Sequence, residues 1–342
     1  MQPIHTVAEL NDVLSRPDEQ VLASLQNSSG DYLLLGAGGK MGHTLGRMLR
    51  RGLDQLGQSH RRVIAVSRFS SADREAELQQ AGLETLRCDL LNRDAVADLP
   101  DVANVFFMAG QKFGTTGQPE TTWAMNALVP ALVADRFRSS RIVVFSTGNV
   151  YPLTAVDGPG AAEDSPLTPP GEYASSCVAR ERLFAWHSLQ HGTPMLMFRL
   201  CYAIDLRYGV LLDLAQKIAA GQAIDLSMGR VQVIWQGDAC ARAICALDHA
   251  SSPPIALNVT GNEKIPVRLL AQQLADALES PLHTTGTEQP TAWVWDASRS
   301  EQLFGPPQVS LQEMIAAIAA WVRAGGPTLN KPTRFEVRDG HY

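Results

Sequence analysis

Residues 31–49 read DYLLLGAGGKMGHTLGRML. The run Tyr32 to Leu35 has the length and apolar character of a strand covered on both faces. Gly36, Gly39 and Gly42 follow at G-x-x-G-x-x-G spacing, and apolar residues recur beyond them at helical intervals. A strand, a tight glycine turn and a helix start let the backbone approach a pyrophosphate, which then rests on the helix N-terminus. Glycine turns are common, so the triplet takes its meaning from its position in a longer pattern.

That pattern is an alternation. The runs RRVIAVSRF, ANVFFMAG, SRIVVFSTG and TPMLMFRL continue the strand series. Between them lie the helical stretches KMGHTLGRMLRRGLDQL, REAELQQAG, TTWAMNALVPALVADRF and CVARERLFAWHSLQ. Apolar strands alternating with helices predict an α/β fold with a doubly wound parallel sheet. Residues 1–30 read as a helical lead-in, and 31–204 as a dinucleotide-binding domain to which 231–249 return. Beyond about residue 200 the rhythm breaks at turns such as SSPP. A smaller C-terminal substrate-binding domain is therefore expected from 205–230 and 250–330, followed by a tail at 331–342 whose mixed charges and lack of helical period suit a loose or neighbour-wrapping course.

The chain has 342 residues, 45% hydrophobic and 19% charged, with a net charge of −6. Both signs are interspersed, so nothing points to nucleic acid or an anionic membrane as partner. The start, MQPIHTVAEL, lacks the basic and apolar regions of a secretion signal, and no apolar run reaches membrane-spanning length. Five cysteines without paired metal-ligand spacing read as reduced thiols, and a cytoplasmic location is expected.

The cofactor reading extends past the glycine turn. The second strand ends VIAVSRFSS, with Ser67 and Arg68 where NAD-binding chains commonly carry an acid. A guanidinium beside a hydroxyl suits a 2′-phosphate, so NADP is expected ahead of NAD; a solvated loop arginine is the alternative. Asp89 in RCDLL follows the third strand, where an acid can accept the adenine amino group or simply form a turn.

The ordered set GAGGKMG, MAGQKFG, WAMNALVP, VFSTGNVYP and GEYASSC resembles the extended short-chain dehydrogenase/reductases, the NAD-dependent epimerase/dehydratase family. VIWQGDACARAI and LNVTG look like later pieces of the same pattern. The resemblance implies a Rossmann-type fold and hydride transfer at a carbinol carbon of a small sugar-like substrate. It implies cofactor contacts at Gly36, Gly39, Lys40, Met41, Gly42, Ser67, Arg68, Asp89, Leu90, Ala109, Gly110, Lys112, Asn126 and Tyr173. The family's catalytic groups are a Ser or Thr and the Tyr and Lys of Y-x-x-x-K. Thr147 and Tyr173 match the first two, and Cys177 stands at the lysine position.

A thiol cannot supply a positive charge, and an unperturbed tyrosine has a pKa of about 10. Lys112, at the carboxyl end of a strand, is the expected substitute cation, with a surface loop lysine as the alternative reading. Thr147 could instead be a turn or N-cap hydroxyl, and Tyr173 a buried aromatic at a helix start. Cys177 reads as a small core filler.

Arg199, Arg207 and Tyr208 lie where the family lines its substrate cleft, but the R-x-x-N-x-Y-G pattern is degraded, with Tyr202 at the asparagine position. His187 and His191 are spaced i, i+4 with no acidic motif beside them, so a solvated helix end is expected and no metal. Helices around 120–137 and 172–190 carry surplus apolar residues, Trp123, Met125, Leu183, Phe184 and Trp186 among them, so a homodimer is expected. The sequence reading is an NAD(P)-dependent epimerase/dehydratase or dehydrogenase; the alternative is a dinucleotide-binding regulatory or structural protein that has lost turnover.

Overall fold

The computed structural model of the chain describes residues 2–112 and 117–341. Two capped helices come first. In α1 (Val7–Leu14) Thr6 and Glu9 form a reciprocal capping box, and in α2 (Glu19–Asn27) Asp18 accepts from the Val21 amide. The alternation then runs β1 (Tyr32–Leu35), α3 (Lys40–Gln55), β2 (Val63–Ser67), α4 (Ala72–Gln80), β3 (Glu84–Arg87), α5 (Arg93–Ala97) and β4 (Asn104–Phe107). Next, α6 (Pro119–Trp123) passes through a π-helical turn, Ala124–Leu128, into α7 (Val129–Arg136). β5 (Arg141–Thr147), α8 (Glu172–His191) and β6 (Met195–Leu200) follow. The remaining long elements are α9 (Val210–Ala219), α10 (Gln236–Cys245), β7 (Ile255–Val259), α11 (Val267–Leu278), α12 (Ser298–Phe304) and α13 (Leu311–Arg323).

Seven strands form one parallel sheet in the order β7-β6-β5-β4-β1-β2-β3. This is the expected Rossmann-type doubly wound sheet, and its order reverses between β1 and β4. Alternation along β1 sends Tyr32 and Leu34 to one face and Leu33 and Leu35 to the other. The first face is covered by α2, α3 and α10, the second by α5, α7 and α8. A separate core joins α9, α11 and α13 with Trp293 and Trp295.

The structure corrects the sequence boundaries in three places. The run containing LNVTG is β7, paired with β6 from Ile255↔Leu196 to Val259↔Leu200, so 255–259 belong to the large sheet and not to the second unit. A five-residue, mostly apolar run fits any open strand edge, and only the packed fold shows which edge it takes. The lead-in is not a separate element either: Leu10 and Leu14 of α1 enter the second core, while Val21 and Leu25 of α2 enter the first. The tail, for which a loose or neighbour-wrapping course is expected, docks on its own chain. Phe335 is buried, Glu336 pairs with Lys217, and Arg338 donates to the Thr291 carbonyl at 2.8 Å.

One buried charged group ties α8 to the sheet. Arg199 of β6 donates through Nε and Nη2 to the Glu181 carboxylate, at 3.0 and 2.7 Å, and also to the Tyr151 hydroxyl. Ser146 of β5 donates to the same carboxylate at 2.5 Å. Arg199 and Glu181 are both almost fully buried, so Arg199 is a structural cation and not the cleft residue its position in the sequence implies. Its charge is affordable only because the acid and the hydroxyl surround it. Replacing Glu181 by Ala leaves a buried guanidinium unpaired, and denaturant unfolding should show a loss of about 3–5 kcal/mol.

Candidate active site

Two of the three glycines of the turn are fixed by sterics, and the third caps the helix. Gly36 has φ +92°, and a Cβ there would stand 2.7 Å from the Ala109 nitrogen. A Cβ on Gly42 would lie 2.5 Å from the Ala37 Cα. Gly39 is the N-cap of α3, with no side-chain cap on the first amides of that helix. Uncapped N–H groups behind a side-chain-free loop form a cradle for a phosphate.

The cradle opens into a cleft of about 490 Å³ at the carboxyl ends of β1, β2, β4, β5 and β6. Gly38, Gly39, Lys40 and Met41 form one wall, and Lys112, Thr147 and Asn149 form the floor. Tyr202, Tyr208 and Trp295 close it from the second unit, together with Lys331 and Thr333 of the tail. Lys40, Arg74, Lys112 and Lys331 line it, and among its described lining residues there is no carboxylate. Such a lining suits an anionic ligand.

Two of these cations are buried amines. Lys40 donates to the Ala203 carbonyl at 2.7 Å and sits 4.4 Å from the Tyr208 ring centroid. Burial lowers its pKa to about 8, against the pull of the Asp205 charge. Lys112 also falls to about 8 through burial, with Cys177 and Asp213 opposing the shift. Its Nζ donates to the Thr333 carbonyl at 3.3 Å and lies 5.9 Å from the Tyr173 ring centroid. At neutral pH the larger part of each remains an ammonium.

Tyr173 begins α8, half-buried, and does not itself line the cleft. Cys177, one turn on, is 0% exposed; burial raises its pKa, while Arg180 and a hydrogen bond from Tyr173 act the other way. The thiol is a neutral neighbour of both Tyr173 and Lys112. Thr147 faces the cleft and caps the short turn Gly148–Val150, accepting from the Asn149 amide at 3.2 Å. It thus has the N-cap role that competes with catalysis, within a cleft-lining position.

The other residues picked from the sequence divide sharply. Ser67 lies under the glycine turn, where a Cβ on Gly38 would meet its Oγ at 2.6 Å. Arg68 is exposed and lies outside the cleft lining, whereas Arg74 of α4 lies inside it with Ser70 and Ser71. Arg74 reaches the Gly38 carbonyl at 3.3 Å. Asp89 is an exposed turn residue accepting from the Leu91 amide at 3.1 Å, and Leu90 is a buried apolar residue. Ala109 is the backbone partner of Gly36, and Gly110 packs against the Arg180 guanidinium.

Asn126 sits in the π-helical turn as a buried bracket. It exchanges hydrogen bonds with the Gln111 backbone at 2.9 Å, donates to Ser176 at 3.0 Å, and accepts from Arg180 at 2.7 Å. It therefore holds the Lys112 loop against α8 from beneath. Arg207 pairs with the buried Asp205 at 3.1 Å and is absent from the cleft lining, whereas Tyr208 is part of it.

Sequence reasoning missed Arg74, Trp295 and the tail. Trp295 donates to the Gly148 carbonyl at 2.9 Å and meets Tyr202 edge-on at 5.5 Å. Nothing in its local pattern marks it. Tyr202 carries φ +47° at the position where the family pattern has asparagine, a residue that adopts that conformation far more readily. A left-handed conformation at so bulky a side chain is a source of local strain in the cleft wall.

The sequence profile of the NAD-dependent epimerase/dehydratase family matches residues 32–259. Comparison with curated protein sequences gives no match. Among solved structures, a UDP-galactose 4-epimerase aligns with a TM-score of 0.68 at 21% identity, covering 86% of this chain and 99% of that one. A Bacillus cereus UDP-glucuronic acid 4-epimerase in complex with NAD gives 0.70 at 17%, covering 86% and 98%. A Streptomyces venezuelae dTDP-glucose 4,6-dehydratase with NAD and TYD bound gives 0.70 at 18%, covering 86% and 97%. At these identities the likeness is one of fold.

Proposed function

Because the chain belongs to the NAD-dependent epimerase/dehydratase family, we propose that it is an NAD(P)-dependent sugar-modifying oxidoreductase acting at a carbinol carbon of a sugar or sugar acid. The observation that carries this reading is the Lys112 ammonium, 5.9 Å from the Tyr173 ring centroid beside the phosphate cradle. The family lysine is replaced by a buried thiol, and a cation from another strand stands close to the same phenol. Whether the net reaction is epimerisation, dehydration or simple oxidation is decided by the substrate.

The residues present fit a nicotinamide dinucleotide. Gly36, Gly39 and Gly42 leave room for a pyrophosphate on α3, with Lys40 beside it. When bound, the nicotinamide supplies the hydride acceptor or donor. Thr147 would hold the substrate oxygen by hydrogen bonding, and Tyr173 would move its proton. Lys112 would favour the ionised phenol through its charge, and Trp295 with Tyr202 would narrow the cleft against water.

For the adenosine end, NADP is the preferred cofactor and NAD the second choice. The support comes from Arg74, which lines the cleft together with Ser70 and Ser71, in place of the exposed Arg68. A homodimer completes the reading: Trp123, Leu128, Trp186 and Leu189 of α6–α8 and the turn between them are 39–60% exposed and offer a second copy an apolar face, whereas Phe184, counted with them from the sequence, is buried beside Phe107. Five free, buried cysteines agree with a reducing cytoplasmic setting, and no described helix is long and apolar enough to cross a membrane.

A second reading is favoured by one feature. Cys177, a buried thiol, stands at the family's lysine position, a loss that suits a cofactor-binding protein without turnover.

Titrating NADPH and NADH separates the cofactor assignments. Arg74→Ala should weaken NADPH binding on the order of tenfold or more and leave NADH unchanged, with Arg68→Ala silent towards both. Equal affinity of the wild type for the two cofactors removes the 2′-phosphate assignment.

Tyr173→Phe should lower kcat by roughly 10²–10⁴-fold with cofactor affinity nearly intact. Lys112 is charged below about pH 8 and loses its proton as pH rises through that value, so its contribution to the rate disappears on the alkaline side. Lys112→Met should abolish that alkaline limb and shift the onset of activity to higher pH. If no sugar, sugar acid or nucleotide sugar is turned over with either nicotinamide, the second reading stands.

Sedimentation at micromolar concentration should give a dimer, and Leu189→Glu should shift it towards monomer. A monomeric wild type rules the dimer out.

A further inference from the structure

The paired histidines of α8 have no acidic motif beside them in sequence, yet the fold brings one. Asp135, in the last turn of α7, comes beside His187 and His191 so that one ligand atom from each lies within 4.8 Å of the others. The two imidazoles stand 5.9 Å apart, inclined at 36°. His187 is only 8% exposed, and its Nδ1 has no hydrogen-bond partner among the described residues. Buried polar atoms are normally partnered, so an unmet nitrogen on a ring that reaches two other ligand groups is notable.

The surroundings favour a cation. α7 ends at Arg136 and α8 at His191, and helix C-termini carry negative partial charge from their free carbonyls. Asp135 has a competing partner in Arg138, at 3.3 Å, but both side chains are more than half exposed. Exposed pairs of this kind are weak and readily exchanged.

We propose that Asp135, His187 and His191 form a binding site for a divalent transition metal, with zinc the first choice. Two imidazoles and one carboxylate match the donor set of zinc, whereas magnesium and calcium prefer oxygen alone. Three protein ligands leave a fourth position for water or for a group from another molecule. The site lies where α7 leads into β5 and α8 into β6, at the opposite end of the strands from the cleft. The ion would pin the last turns of the two helices together, next to the exposed Trp186 and Leu189, and take no part in the chemistry of the cleft.

The test uses tag-free protein stripped with EDTA and then freed of chelator. Calorimetric titration with Zn²⁺ should saturate near one equivalent per chain, with a rise in Tm, and Co²⁺ should give the visible bands of a tetrahedral N/O site. His191 is exposed, so His191→Ala should fold normally and lose the binding. Asp135→Asn should weaken it on the order of tenfold or more, and His60→Ala, at an exposed histidine elsewhere, should leave it intact. Nicotinamide affinity should be the same with and without the metal. Absence of saturable Zn²⁺ binding in the wild type, or unchanged stoichiometry and affinity in His191→Ala, overturns the proposal.

Discussion

The backbone of Gly36 passes so close to Ala109 that any side chain at residue 36 would collide with the neighbouring strand. This contact brings the ends of β1 and β4 together at the point where the strand order reverses. The loops after those strands then diverge, one into α3 and the other towards Lys112, and the cleft lies between them. The positive φ of Gly36 turns the chain sharply enough for α3 to present its uncapped amides to the same space. The open glycine turn before α3 and the position of Lys112 therefore follow from one close approach.

Charge in the cleft is arranged around burial. Lys40 and Lys112 are withdrawn from water far enough for their pKa values to fall to about 8, and the described residues of the cleft lining include no carboxylate. Backbone carbonyls of Ala203 and Thr333 hold them instead. An anion entering such a space gains more than it would at the surface, because the local dielectric is low and the nearest acids, Asp205 and Asp213, stand outside the cleft lining. The loss of the family lysine fits this arrangement. A thiol at 177 fills the core space under Tyr173, while the positive charge arrives from the loop after β4.

Two long-range ties keep these groups in register. The buried Arg199–Glu181 pair fixes α8, and hence Tyr173, to β6, while Asn126 clamps the Lys112 loop to the same helix. The tail adds a third. Thr333 donates its amide and hydroxyl to Asp213 of α9 and offers its carbonyl to Lys112, so the last part of the chain spans both units at the cleft mouth.

By itself the sequence determined the α/β alternation, the glycine turn and the family, because strand and helix periods and a glycine triplet are local signals. It also drew attention to Lys112, through the absence of a cation at Cys177. Tertiary structure alone decided the rest. Asp135 reaches the paired histidines from a different helix, Arg74 takes the place in the cleft that the adjacent Arg68 seemed to hold, and Trp295 arrives from 147 residues beyond Gly148. Arg199, read as a cleft residue, is consumed by an acid eighteen residues earlier on α8, and the strand that contains LNV takes the β6 edge of the large sheet after α9 and α10 have intervened. Each of these depends on which side chains meet after the chain has packed, and pairing between distant segments leaves no periodicity in the sequence around either partner.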